Sequence, residues 1–180
     1  RLQGDWSSDV CSSDLIEALN HRDLLMGGPA RDEFWGLAEV KVFVQQPGSE
    51  KWEPVKIVNA TADFSSPERM EPLLDADGKP KGDEKVSIGP VAALVDGVRE
   101  SAWVSDRGNG LRHQPSVAVV QLEKPLDVPE GTKLKLQLSM MGTKPYAGDR
   151  RMLGCFRASL TTQPAPAAPP IDHAAVLAIR

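Results

Sequence analysis

Residues 86–106, VSIGPVAALVDGVRESAWVSD, decide the reading of this chain. The apolar run Val91-Ala92-Ala93-Leu94-Val95 stops at Asp96-Gly97, crosses a polar turn, and ends on Ser101-Ala102-Trp103, after which the sequence is rich in β-formers. Gly97 can take the positive φ of a tight corner, and Asp96 can accept hydrogen bonds from backbone N–H groups. Trp103 supplies a large apolar surface to fill the core beneath the turn.

Outward from this corner the pattern is β throughout. On the C-terminal side, Val117–Leu122 is a nearly continuous apolar strand. Lys133–Met140 alternates cleanly, with Leu134, Leu136, Leu138 and Met140 on one face and Lys133, Lys135, Gln137 and Ser139 on the other. Met152–Thr161 reads as a last strand. On the N-terminal side, Leu37–Val44 alternates Ala38, Val40, Val42 and Val44 against Glu39, Lys41 and Phe43, a half-buried strand of period two. Pro54–Phe64 is a strand that changes face midway, which predicts a bulge or bend. Asn20–Phe34, with Gly27-Gly28-Pro29, reads as a loop, and Ser65–Lys85 is polar and turn-rich. Its acidic cluster, Asp75, Asp77, Asp83 and Glu84, lacks the fifth-position ligand of a calcium-binding loop and reads as a solvated hairpin tip. Five or six strands with almost no helical periodicity predict an antiparallel β-sandwich.

Residues 5–15, DWSSDVCSSDL, resemble the translation of a common sequencing-library adapter, so residues 1–15 are expected to stand outside the fold. Ile16–Leu19 then reads as the end of a cut strand within a longer protein. The sandwich is expected over 16–162, followed by the Pro/Ala linker QPAPAAPP at 163–170 and, at 171–180, the start of a helix capped by Asp172. A sandwich missing part of a strand exposes an edge, so residues 16–180 alone are expected to be marginally stable.

The formal charge is −4; Arg1, Asp5, Asp9 and Asp14 carry −2 of it, leaving −2 for the remainder. That balance gives no electrostatic reason to propose nucleic acid or a membrane surface. No apolar run reaches the roughly 18 residues of a membrane span. With Cys11 set aside, Cys155 stands alone and makes neither an internal disulfide, a haem attachment site nor a zinc cluster. His21, His113 and His173 are far apart and show no metalloprotease spacing, and neither a nucleophile elbow nor a Walker loop is present.

The corner resembles the "A-x-DG…T-x-W" corner of galactose-binding-like, discoidin-type jelly-roll domains, most of which are binding modules. A wider resemblance covers residues 16–180. The blocks IEALNHRDLLMGGPAR, LAEVKVFV, KIVNATADFSSPE, AALVDGVRESAW and LGCFRASLTTQP stand in the order found in a region of large planctomycete proteins that carry a cytochrome-c-like domain and domains of unknown function. The resemblance implies a galactose-binding-like sandwich, a periplasmic or cell-surface location, and a haem domain upstream with no haem in this fragment. Asp32-Glu33-Phe34-Trp35 departs from the "NGNF" of that pattern, Ala30 replaces the second glycine of "GPGR", and Cys155 replaces an arginine. Two of these changes fall in a loop that could line a ligand site, so no ligand is carried over.

The functional expectation is a non-catalytic, carbohydrate-binding module that works beside neighbouring domains of the same parent chain. Sugars are recognised by an aromatic face together with polar side chains that bond hydroxyls. On loops, the residues of that kind are Trp35, Arg107, His113 and Tyr146. A structural calcium ion is expected where Glu39, on a strand beside the corner, could join Asp96 and Ser101 in an oxygen-rich shell. Two alternatives stand beside this one: a structural module that packs against neighbouring domains and binds no sugar, and a glycoside hydrolase with converging carboxylates.

Overall fold

The computed structural model describes residues 10–31, 34–75, 77, 79–104, 106–108, 111–141, 151–161 and 167–168. Ten strands form in chain order: β1 (Val10–Ala18), β2 (Gly36–Gln45), β3 (Glu53–Val55), β4 (Ile57–Ala62), β5 (Arg69–Leu74), β6 (Pro80–Gly89), β7 (Ala102–Val104), β8 (Ser116–Asp127), β9 (Lys133–Met140) and β10 (Phe156–Thr161). One sheet has the order β10-β1-β8-β4 and is antiparallel throughout. The second has the order β3-β2-β7-β6-β5, with β9 also paired to β2. In it only β6 and β7 run parallel. The chain is an all-β sandwich of these two sheets.

The core lies between them. Ile16 and Ala18 of β1, Ala60 of β4, and Ala118 and Val120 of β8 meet Leu37 and Val40 of β2 and Trp103 of β7. Trp35 and Trp103 pack edge to face, with centroids 4.8 Å apart and planes at 85°. The Trp103 indole N–H donates to the Phe64 carbonyl at 2.9 Å, so its one polar atom is satisfied within the core. Strand alternation turns Ala102 and Val104 to the opposite side of the second sheet, where they form a separate apolar cluster with Ala38, Ile88 and Met141.

The corner folds as its residue types dictate. Val91–Val95 is a short 3-10 turn that buries Ala93 and Leu94. Asp96 Oδ1 accepts from the Val98 N–H at 2.7 Å, Asp96 Oδ2 accepts from the Ser101 hydroxyl at 2.7 Å, and Gly97 takes φ +77°. The bend expected in Pro54–Phe64 proves larger than a bulge. Lys56 alone separates β3 from β4, and the chain there passes from one sheet to the other.

Two expectations need correction. Ser65–Lys85 is more than a turn-rich stretch with a hairpin tip, because strands β5 and β6 flank that tip and pair from Arg69↔Ile88 to Leu74↔Pro80. Most of their side chains face water, so the apolar alternation that would reveal strands is missing. The hairpin tip carries Asp75, whose Oδ1 accepts from the N–H groups of Asp77 and Lys79, both at 2.9 Å. The second correction concerns the N-terminus. Residues 10–15 do not stand outside the fold; they continue Ile16–Ala18 as the strand between β10 and β8. Backbone pairing does not depend on side-chain type, and the mismatch appears instead as Ser13 and Asp14 buried in a strand. The linker lies mostly outside the described residues, as does the helix expected at 171–180.

Candidate functional site

The residues picked from sequence fall in several environments. Trp35 is 0 % exposed and plugs the core against Trp103, so no face of it is open to a ligand. Tyr146 lies outside the described residues. Arg107 and His113 share the connection between β7 and β8, where each is held by protein.

Arg107 acts as a clamp. Its side chain is 1 % exposed, and Nη2 donates to Asp63 Oδ2 at 3.2 Å, the Pro115 carbonyl at 3.2 Å and the Ser116 hydroxyl at 2.5 Å. The Phe64 ring covers the guanidinium, with its centroid 4.8 Å from Cζ. Arg107 Nε and Nη1 and Asp63 Oδ1 are buried with no protein hydrogen-bond partner. The arrangement ties the end of β4 to the start of β8, and in it Arg107 is sealed from an external ligand. His113 is half-buried beneath the 24–30 loop, and a Cβ at Gly28 would come within 2.7 Å of His113 Cβ. That contact explains a glycine at position 28. Nearby, burial tends to raise the Asp106 pKa, but hydrogen bonds from Arg112 and the Gly108 N–H, together with the Arg69 charge, hold it below the usual carboxylate range.

Of the expected calcium ligands, Asp96 and Ser101 are brought together by a 2.7 Å hydrogen bond, and Glu39 has a lysine partner of its own. Glu39 alternates with Val40, which faces the core, so its carboxylate is on the outer side of β2, where it pairs with Lys41 Nζ at 2.9 Å. Asp96 closes a turn whose Leu94 packs in the inner core, and both its oxygens are engaged by that turn. Among the described residues, no group of three or more His, Cys, Asp or Glu side chains is placed to hold a metal ion.

The most distinctive surface is one the loops do not provide. Strands β2 and β9 pair with Glu39↔Ser139, Lys41↔Gln137, Phe43↔Lys135 and Gln45↔Lys133, and all eight side chains belong to the outward-facing set of their strands. The inward set fixes that orientation: Val40, Val42 and Val44 are buried, and Leu136 and Leu138 pack against the core. Trp52, just before β3, joins this outer face. The Lys135 ammonium lies 4.2 Å from the Phe43 ring centroid and 4.9 Å from that of Trp52. Both rings are half-buried, while Lys41, Lys135 and Gln137 are exposed. An aromatic pair is thus held on a rigid sheet among amide, hydroxyl and ammonium groups. The sequence carried one signal of it: Phe43 stands on the polar side of an alternating strand, where burial in the core cannot explain it.

Comparison with protein-family models, curated proteins and solved structures finds no match to this chain.

Proposed function

We propose that the chain is a non-catalytic carbohydrate-binding module and that its contact surface is the outer face of β2, β9 and the Trp52 segment. The observation that carries this reading is the pair Phe43 and Trp52, fixed on an outward sheet face beside Lys41, Gln137 and Ser139. Sugar rings present apolar C–H faces and a rim of hydroxyls, and this face offers aromatic surface with hydrogen-bonding groups around it. Placement on strands fixes these groups better than a loop would. The carboxylate at this face, Glu39, is paired with Lys41 at 2.9 Å. That is charge balance rather than the acid and base pair of a glycosidase. The galactose-binding-like type, membership of a larger envelope protein, and a periplasmic or cell-surface location belong to the same proposal and rest on the sequence resemblance.

A second reading, packing against a neighbouring domain, draws on the tip of the 24–28 loop. There Leu25 is 44 % and Met26 78 % exposed, and Met26 is held at φ +53°. A non-glycine residue at positive φ with its apolar side chain in water suits a contact made with another surface.

Affinity electrophoresis through gels containing a panel of neutral and sulfated polysaccharides tests the first reading. Retardation by at least one polymer, abolished by Phe43→Ala or Trp52→Ala in variants that still melt cooperatively, is the expected result. Free migration of the folded chain in every gel would transfer the assignment to domain packing.

A further inference from the structure

We infer that the ligand of the β2–β9 face is an anionic polysaccharide carrying sulfate groups, a conclusion that rests on the carbohydrate reading above and specifies its chemistry. The first argument is the position of Lys135. Its ammonium occupies the aromatic surface of Phe43 and Trp52, where a neutral sugar would otherwise stack. A neutral ligand must displace that cation and lose the cation–π attraction. An anionic sugar meets the ammonium where it stands, with its ring carbons against the aromatic edges.

The second argument is charge. Lys41 shares its charge with Glu39 at 2.9 Å, and Lys51 with Glu53 at 3.6 Å. Lys133 and Lys135 have no carboxylate partner among the described residues. They are next-but-one on β9, so both face outward with Cα atoms roughly 7 Å apart. Lys41 lies diagonally across on β2, because its register partner is Gln137. The face therefore carries two ammonium groups without a carboxylate partner in line along β9, with the Lys41–Glu39 pair beside them, a track that the backbone of a linear polyanion can follow. The whole chain has a net charge of −4, so attraction to a polyanion has to come from a local surface such as this one.

The third argument concerns the type of cation. The face holds lysines and no arginine among Glu39, Lys41, Phe43, Gln45, Lys133, Lys135, Gln137 and Ser139. Guanidinium forks match carboxylates and tetrahedral oxyanions alike in bidentate geometry, whereas ammonium groups act as compact point charges with three rotatable donors. Sulfate oxygens, spread over a tetrahedron and charged at neutral pH, can be met by such point charges without a planar fork.

The test uses the full 180-residue chain with three probes: dextran sulfate, unsubstituted dextran and polygalacturonate, titrated by calorimetry at several salt concentrations. Dextran sulfate is expected to bind more tightly than either other polymer, with affinity falling as salt rises through counterion release. The double variant Lys133→Met/Lys135→Met should lose about tenfold in affinity, and Lys79→Met/Lys81→Met, on the β5–β6 hairpin, should lose none. Equal losses from both double variants would overturn the site assignment by showing diffuse attraction. Polygalacturonate binding as well as dextran sulfate would overturn the sulfate preference. Binding to dextran alone would overturn the anionic ligand while leaving the carbohydrate reading intact, and binding to none of the three by folded protein would remove both.

Discussion

Asp14 is the residue at which the fold should respond most strongly to pH. It lies on the same side of β1 as Ile16 and Ala18, both in the core between the sheets, and it is 5 % exposed. Its Oδ2 has no hydrogen-bond partner. Burial alone pushes its carboxyl up from 3.8 to about 7. Between those two values the folded chain keeps a proton that the unfolded chain has released, so stability must fall as pH rises through this window. Below 3.8 both states are protonated and no penalty remains; above about 7 the penalty is constant. A shift of about three pH units at ~1.4 kcal/mol each gives about 4 kcal/mol, a large share of the 5–15 kcal/mol typical of a domain. Asp14→Asn removes the titration at nearly the same size, and Asp14→Leu also adds apolar contact. Urea unfolding of the wild type and both variants, followed by tryptophan fluorescence from pH 4.5 to 8.5, measures the effect. Comparison with the variants cancels groups that act in the opposite sense, such as Glu17, whose carboxyl is held low by hydrogen bonds from Arg157. Both variants should gain on the wild type by about 3–4 kcal/mol between the two ends of this range. A stability difference that stays constant with pH would refute the argument, because it would mean that Asp14 ionises in the folded state as freely as in water.

Three further outcomes follow from the packing. Because the Arg107–Asp63 pair is buried, Arg107→Met and Asp63→Leu should each destabilise by about 3–5 kcal/mol, and the double variant by clearly less than their sum; additive losses in urea melts would show that the two charges are not coupled. Trp35→Ala opens a cavity beside Trp103 and should lose about 3–5 kcal/mol, while any protein that remains folded keeps its polysaccharide affinity; a selective loss of binding without loss of stability would place Trp35 at the ligand after all. Deleting residues 1–15 removes the β1 partners of Ser159, Leu160 and Thr161 on β10 and of Val119, Val120 and Gln121 on β8. The shortened chain should aggregate or melt near room temperature in size-exclusion and thermal assays, and a monomer as stable as the full chain would contradict the observed pairing.

What could be read in the sequence was whatever depends on side-chain periodicity. Lys133–Met140 has the limits of the observed strand, and Leu37–Val44 extends only by Gly36 and Gln45. The expected alternation holds from Val40 onward, whereas a register shift at Leu37/Glu39 turns Ala38 to the opposite side of the sheet from Val40. The Asp96-Gly97-Trp103 corner was equally legible, since a positive φ, a short acceptor and a large apolar plug are each the province of few residue types. The β5–β6 hairpin was legible only at its acidic tip; its strands were not, because an edge pair with little buried surface has no reason to alternate. The site was missed for a related reason. Attention to loops favours aromatic residues near glycine and arginine, and there the structure uses Trp35 as core and Arg107 as a clamp.

The two places where side chain and position disagree are the most informative in the chain. On β2, Phe43 is apolar on a polar face, and the structure answers with Lys135 and Trp52 on an open sheet surface. On β1, Ser13 and Asp14 are polar in buried positions, and the structure answers with an orphaned carboxylate oxygen. The first disagreement leaves the core intact, because Phe43 faces away from it, and a surface aromatic held in place at no expense to packing is free to serve binding. The second is set inside the core, where an unpaired carboxylate opposes folding and makes no contact that could compensate. Burial separates these cases: a misplaced apolar group outside leaves the core intact and points to a surface role, and a misplaced charge inside marks the position where the strand works against its own burial.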